Sequence, residues 1–64
     1  MPSTAIRDFH YDPAEHRLDV QFVSGKRYSY FDVPETLVAD MRKASSKGSF
    51  FNHHIRDRYR FTRQ

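Results

Sequence analysis

The nonapeptide FVSGKRYSY, residues 22–30, decides how this chain folds, because it joins two strand-like runs through a glycine turn. Before the turn, residues 18–22 alternate apolar and polar side chains, which is typical of a strand with one buried face. After it, residues 26–31 read as a second strand with tyrosines at alternate positions. The stretch therefore predicts a β-hairpin, and the turn sets the face of the sheet on which the tyrosines lie.

Two hairpin loops are compatible with this stretch, and they place Tyr28 and Tyr30 on opposite faces. A two-residue loop leaves both tyrosines on the polar face as exposed stacking rings. A three-residue loop ending at Gly25, in the left-handed conformation, instead pairs Tyr28 with Val20. Tyr30 then pairs with Leu18, and the apolar side chains share one face. Burying each large apolar side chain contributes about 1.5–3 kcal/mol, so we favour the three-residue loop and interpret both tyrosines as core aromatics.

The hairpin is preceded by another strand-like run at residues 5–11. Ile6 is out of phase with the apolar residues that follow it, and a bulge near residues 7–8 would return it to the buried face. A turn comes next, in which the Asp12 carboxylate can accept backbone N–H groups. Three consecutive strands joined by short loops predict an antiparallel meander.

The pattern changes to helical spacing at Pro34, which suits the first turn of a helix. Leu37, Met41 and Ala44 follow at i, i+4 and i+7, so we predict a short amphipathic helix of about three turns. Gly48 is expected to interrupt the helical region with a positive φ.

A second helix is predicted to begin with Ser49 as its cap. Large apolar side chains recur every fourth position along it, at Phe51, Ile55 and Tyr59. Arg56 and Arg60 fall on another face and form one ridge. The predicted fold class is thus α+β: a three-stranded antiparallel β-meander followed by two short α-helices packed on one face of the sheet. Residues 1–64 form a single domain, with mobile ends at residues 1–4 and 61–64.

Charge is divided unevenly along the chain. Residues 1–41 carry four basic and seven acidic side chains, whereas residues 42–64 carry seven basic side chains and one acidic side chain. The two parts therefore sum to −3 and +6, which gives the net charge of +3. A basic C-terminal part indicates an anionic partner, or neutralisation of an acidic surface nearby.

Several classes of site and location are not expected. The chain has no cysteine, which excludes disulfides and thiolate metal sites. The adjacent His53 and His54 diverge by about 100° on a helix, so we expect no metal site. No group orients Ser49 and His53 for nucleophilic catalysis, so we expect neither an enzyme nor a cofactor. No apolar run approaches the ~20 residues that span a bilayer, and we expect a cytoplasmic protein without membrane contact.

The chain resembles the KTSC domain, a small module named for its place at the C-terminus of some lysyl-tRNA synthetases. The resemblance covers residues 3–60 and implies a stand-alone copy, a form in which the family also occurs in bacteria. It implies no established activity; RNA binding is a suggestion made for the family from its synthetase context. The motifs that carry it are Tyr11-Asp12, Leu18-x-Val20-x-Phe22, Gly25-x-x-Tyr28-x-Tyr30, Val33-Pro34, Ser46-x-Gly48-x-Phe50-Phe51-Asn52 and Ile55 with Tyr59.

We interpret the protein as a non-catalytic binding module for RNA or another single-stranded nucleic acid. Ser49 and Lys47 would receive a phosphate at a helix N-terminus, and Phe50 or a partly exposed tyrosine would stack on a base. Three arginines would follow the nucleic-acid backbone: Arg56, Arg60 and Arg63. The alternative is a protein–protein interaction module, present as a monomer or a weak homodimer. Binding that weakens steeply as salt rises would favour nucleic acid.

Overall fold

The computed structural model describes residues 5–64, which form a four-stranded antiparallel sheet and two helices. The strands, in their order across the sheet, are β1 (Ile6–Asp12), β2 (Arg17–Phe22), β3 (Arg27–Tyr30) and β4 (Phe61–Arg63). The helices lie between β3 and β4 in the chain and are α1 (Glu35–Lys43) and α2 (Lys47–His54). The α+β prediction is confirmed in this form. The expectation of a mobile end at residues 1–4 falls outside the described residues.

The register of the β2–β3 hairpin confirms the three-residue loop. Val20 pairs with Tyr28, and Leu18 pairs with Tyr30. Gly25 has a φ of +94°, a backbone conformation that residues other than glycine rarely adopt. The loop therefore turns both tyrosines toward the apolar face of the sheet.

Two predictions for β1 and the turn after it are also confirmed. The pairing of β1 with β2 shifts between Ile6 and Asp8, as a bulge requires. In the following turn, Asp12 Oδ1 accepts the backbone N–H of Ala14 at 3.1 Å and that of Glu15 at 3.4 Å. The Asp12 carboxylate thus accepts backbone N–H groups that no longer have a partner in the neighbouring strand once the chain has left β1.

The prediction of three strands followed by a free tail at residues 61–64 is wrong, because this segment contains β4. Phe61 pairs with Tyr30, and Arg63 pairs with Tyr28. The Phe31 N–H donates to the Arg60 carbonyl at 2.9 Å, which extends the pairing beyond the strand. Three residues are too few to show the alternation of a strand. This strand therefore forms because it pairs with β3, and its own sequence does not reveal it.

Helix α1 begins one residue later than predicted. Pro34 is its N-cap, with φ −68° and ψ 146°, and its carbonyl accepts the N–H groups of Leu37 and Val38. Val38 and Met41 are fully buried, and Leu37 is half-buried. The amphipathic helix is confirmed, with its apolar face on the sheet.

The start of α2 differs from the prediction, because Ser46 and not Ser49 caps it. Ser46 Oγ accepts the Ser49 N–H at 3.2 Å, and Gly48 lies inside the first turn without the expected positive φ. After Lys43 the backbone is extended at Ala44, so the chain reaches a capping serine sooner than the glycine signal indicated.

The end of α2 also differs, since the helix stops at His54 and Ile55 is its C-cap. The N–H groups of Ile55 and Arg56 both donate to the Phe51 carbonyl. Tyr59 consequently reaches the core from a turn, at half-burial, and not from a helical face. The predicted helical ridge of Arg56 and Arg60 does not form.

The core lies between the two helices and one face of the sheet. Tyr11 contributes its ring to this core and donates its hydroxyl to the Val33 carbonyl at 2.6 Å. In residues 5–64, no helix is long and apolar enough to cross a membrane. The buried apolar side chains are Tyr11, Leu18, Val20, Tyr30, Val33, Val38, Met41, Phe51 and Ile55.

Candidate functional site: an aromatic groove beside β4

A groove of about 590 Å³ opens between β3, β4 and the end of α2, and we call it the aromatic groove. Five rings line it: Phe22, Tyr28, Tyr30, Phe51 and Phe61. Four polar residues complete the lining: Ser24, Lys26, Arg56 and Asp57. The groove thus combines ring faces with charged groups on one surface.

The rings of the groove form one packed cluster. The Phe61 centroid lies 5.6 Å from that of Tyr28 and 5.4 Å from that of Tyr30, separations usual for aromatic pairs. Phe51 meets Tyr30 edge-on at 5.1 Å and Phe22 at 5.4 Å. Phe51 is 1% exposed and Tyr30 is 4% exposed, whereas Phe61 is 52% exposed. The two buried rings therefore support the accessible ones, Phe61 and the half-buried Tyr28.

Strand pairing explains why these rings meet. Residues directly paired across an antiparallel sheet project on the same side, so Phe61 stands beside Tyr30. Arg63 stands beside Tyr28 for the same reason. Phe51, from α2, packs against this surface and closes one side of the groove. The site thus depends on β4, which the sequence did not predict.

The charged groups of the groove are mostly cationic. Lys26 and Arg56 line it together with the carboxylate of Asp57, and the exposed Arg63 lies on the same side of the sheet. Arg56 Nη1 donates to Asn52 Oδ1 at 3.0 Å, which fixes the guanidinium near the end of α2. The excess of positive charge around the groove favours an anionic ligand, as does the net positive charge of the chain.

Three of the predicted binding residues lie around α2 and do not line the groove. Lys47 Nζ donates to a backbone carbonyl at the end of α1 at 3.1 Å. Ser49 Oγ lies 3.4 Å from His53 Nδ1, and that nitrogen lies 2.8 Å from the Ser49 carbonyl. Phe50 is half-buried and packs on the His54 ring at a centroid distance of 4.5 Å. These three residues therefore make local contacts within and beside α2.

The three predicted arginines have separate places. Arg56 lines the groove, and Arg63 lies next to it on β4. Arg60 instead pairs with Asp32 at 3.6 Å and lies 5.8 Å from the centre of the Phe31 ring. The structure thus brings Arg56 and Arg63 to the aromatic groove, together with residues outside the predicted nucleic-acid site: Lys26, Tyr28, Asp57 and Phe61. Tyr28 carried a sequence signal, since its alternation with Tyr30 was visible.

The opposite face of the sheet is polar and uses its own groups. Asp19 Oδ1 accepts the Ser29 hydroxyl at 2.6 Å and the Arg17 Nε–H at 3.1 Å. The Gln64 amide completes this network by donating to Ser29. A depression of about 240 Å³ on this face has Asp8 and Asp19 in its lining. Among the residues that the structure describes, no three His, Asp or Glu side chains come together as metal ligands would.

Tyr30 is the titratable group of the groove whose pKa changes most clearly. Burial is the main cause that raises the pKa of Tyr30 to about 12; the neighbouring Tyr28 and Asp57 contribute to this rise, and Arg56 opposes it. A phenolate at this position would be poorly hydrated among the packed rings, so burial favours the neutral phenol and raises the pKa. The Tyr30 hydroxyl therefore stays protonated at neutral pH and can donate a hydrogen bond.

This pKa gives a prediction for alkaline pH. Unfolded tyrosine loses its proton near pH 10.0, whereas folded Tyr30 keeps it until about 12. The ionisation of Tyr30 therefore leaves the free energy of unfolding unchanged below pH 10 and lowers it as pH rises from 10 toward 12, because the unfolded state releases this proton first. We therefore expect the free energy of unfolding to fall less steeply with pH in Tyr30→Phe than in the wild type. The difference between the two slopes should reach up to one proton, and urea unfolding at a series of pH values would measure it. Identical slopes in the two proteins would contradict the assignment.

The chain matches the family model described as KTSC domain over residues 2–59. It is 40% identical over 58 residues to a protein from Tsukamurella paurometabola, covering 91% of this chain and 87% of that one. It is 36% identical over 58 residues to the lysine–tRNA ligase of Nostoc punctiforme. That match covers 91% of this chain but only 10% of the ligase, so the chain spans about a tenth of the ligase's length.

A solved structure supports the same relationship. The crystal structure of a KTSC domain protein from Yersinia pestis superposes with a TM-score of 0.91 at 31% identity. The superposition covers 100% of this chain and 90% of the Yersinia protein. The four-stranded sheet with two helices is therefore an arrangement that this chain shares with a solved relative.

Proposed function

The chain belongs to the KTSC domain family, as its motifs implied, and on that premise we propose that it binds single-stranded RNA in the aromatic groove. One observation carries the proposal: accessible aromatic rings, Tyr28 and Phe61, share a groove with the cations Lys26 and Arg56. Single-stranded nucleic acids are commonly bound by stacking platforms of this composition. The name of the lysine–tRNA ligase relatives points to an RNA substrate for those enzymes, which supports RNA over DNA here.

The spacing of the rings indicates how a base would be held. A base inserted between two rings needs about 7 Å between them, because each carbon–carbon contact takes about 3.5 Å. Tyr28 and Phe61 are 5.6 Å apart and tilted at 56°, so they are already in contact. A base would therefore stack on an outer ring face, for which Phe61 offers the larger exposed area.

The cations would hold the phosphates on either side of the stacked base. Lys26 lies on the hairpin and Arg56 follows α2, so they approach the groove from two different elements. Arg63, next to Tyr28, would extend the path along β4. Each phosphate contact in a single-strand complex lowers the slope of log affinity against log salt by about 0.7. Binding should therefore weaken as salt rises.

Phe61→Ala is expected to weaken binding of a mixed-sequence RNA octamer by about 5- to 150-fold, the loss that accompanies removal of one stacked base contact. The measurement is fluorescence anisotropy near 50 mM salt, an order-of-magnitude condition at which phosphate contacts are strong. Val23→Ala is the matched control, because Val23 is 61% exposed and does not line the groove.

Two outcomes would refute the proposal. The first is the absence of any salt-sensitive binding of single-stranded RNA by the wild-type protein. The second is an equal effect of Phe61→Ala and Val23→Ala. Capture of a protein partner that survives nuclease treatment, together with the first outcome, would indicate the alternative function of a protein-interaction module. The exposed ring of Phe61 and the outer edge of β4, the last strand in the order of the described sheet, favour that alternative.

A further inference from the structure

We infer that the aromatic groove selects guanine, with the Asp57 carboxylate and the Tyr30 hydroxyl reading the edge of the stacked base. This inference rests on the proposed function, since it names the base that the same groove would hold. Two observations on residues 5–64 carry it: a tyrosine hydroxyl without a hydrogen bond to protein, and a carboxylate without an ion-pair partner in the same groove.

The Tyr30 hydroxyl is available to a ligand. The residue is only 4% exposed, and its ring is packed against Phe51 and Phe61. Within residues 5–64, its Oη makes no hydrogen bond to protein, yet no fully buried polar side-chain atom there lacks a partner. The oxygen must therefore keep solvent contact, and the residue lines the groove. Tyr11 differs, because its hydroxyl is bonded to the Val33 carbonyl.

Asp57 supplies the complementary acceptor. It lines the groove and is exposed, and no ion pair joins it to a Lys, Arg or His in the described part of the chain. Asp57 and Tyr30 line the same groove, and the Asp57 charge raises the pKa of Tyr30, after burial, the neighbouring Tyr28 and the opposing effect of Arg56. An ionised carboxylate has two acceptor oxygens, and the protonated phenol adds one donor. The groove lining therefore offers a base edge two acceptor oxygens and one hydroxyl donor, in addition to the cations Lys26 and Arg56.

Guanine is the base that matches this arrangement. Its Watson–Crick edge carries two adjacent donors, N1–H and the 2-amino group, followed by the O6 acceptor. A carboxylate can accept both donors, while the Tyr30 hydroxyl donates to O6. Adenine and cytosine each place a ring-nitrogen acceptor next to a single amino donor, and uracil has one donor between two acceptors. Each of those bases offers the Asp57 carboxylate one donor where guanine offers two, so it forms one charge-assisted hydrogen bond fewer.

The test uses four RNA octamers of uridine that carry guanine, adenine, cytosine or uracil at one central position. Anisotropy titrations of the full chain should give about 5- to 150-fold tighter binding for the guanine octamer, the range for a good bidentate base contact. An octamer with inosine at that position keeps N1–H and O6 but lacks the 2-amino group, and it should lose most of the preference.

Two variants separate base reading from structural damage. Asp57→Asn should reduce the preference for the guanine octamer over the all-uridine octamer, because the amide that replaces the carboxylate accepts through one oxygen only. Tyr30→Phe keeps the ring and should weaken the guanine octamer more than the all-uridine octamer. Asp40→Asn is the matched control, since Asp40 is exposed on α1 and does not line the groove. Damage to the fold would instead weaken all octamers alike, and circular dichroism would detect it.

The outcomes distinguish this inference from the function on which it rests. Equal binding of all four octamers, a preference for another base, or a guanine preference that survives Asp57→Asn would each overturn the inference and leave the proposed function standing. If no octamer binds, the proposed function fails, and the inference fails with it.

Discussion

Phe51→Ala is expected to lower the free energy of unfolding by about 3–5 kcal/mol, the usual cost of removing a buried phenylalanine ring. Phe51 is 1% exposed and lies edge-on to both Phe22 and Tyr30, so its removal opens a cavity between α2 and the sheet. A domain of this size rarely holds more than about 3–5 kcal/mol. The variant should therefore be largely unfolded at room temperature.

Circular dichroism and urea unfolding would measure this effect. The matched control is Phe50→Ala, the same truncation one position earlier in α2, where the ring is half-buried and packs on His54. Phe50→Ala should cost clearly less than Phe51→Ala. Similar losses in the two variants would mean that the ring cluster around Phe51 does not hold α2 to the sheet.

Gly25→Val is expected to lower the free energy of unfolding by about 1–3 kcal/mol, the cost of holding a residue in a sparsely populated backbone region. Gly25 has a φ of +94°, and a Cβ added there would meet no heavy atom within 4 Å. The cost is therefore conformational strain rather than a steric clash. A β-branched side chain is especially poor at positive φ.

Gly25→Asn shows whether backbone strain, and not merely the addition of a side chain, causes the loss of stability. Asparagine tolerates positive φ better than other non-glycine residues, so this variant should lose less stability than Gly25→Val. Thermal unfolding of the two variants beside the wild type gives the comparison. Unchanged melting temperatures for Gly25→Val would contradict the three-residue loop and the strand register that depends on it.

The two tyrosines of β3 have different roles in the folded protein. Both lie on the apolar side of the sheet, as the hairpin register predicted, but only Tyr30 is buried. Tyr28 remains half-buried because β4 brings only a short strand beside it, and its ring stays accessible in the groove. Tyr30 supports the groove with its ring, and its hydroxyl faces the ligand in our proposal.

The features that could be predicted from the sequence are those with local causes. The glycine in residues 22–30 and the apolar alternation around it defined the hairpin register. The phase break at Ile6 identified the bulge, and the Asp12 side chain identified the turn. The spacing of Leu37 and Met41 identified α1. Each of these rests on interactions between residues close in the chain, or on the single requirement that one sheet face be buried.

Strand β4, and the groove that depends on it, form through long-range pairing that the sequence pattern does not show. Phe61–Arg63 is too short to show a period, and it becomes a strand because pairing with β3, about thirty residues earlier, satisfies its backbone. That pairing places Phe61 beside Tyr30, with its ring against that of Tyr28, and separates Arg60 from Arg56. The candidate site is therefore made of residues distant in sequence, joined by backbone hydrogen bonds that no local pattern encodes.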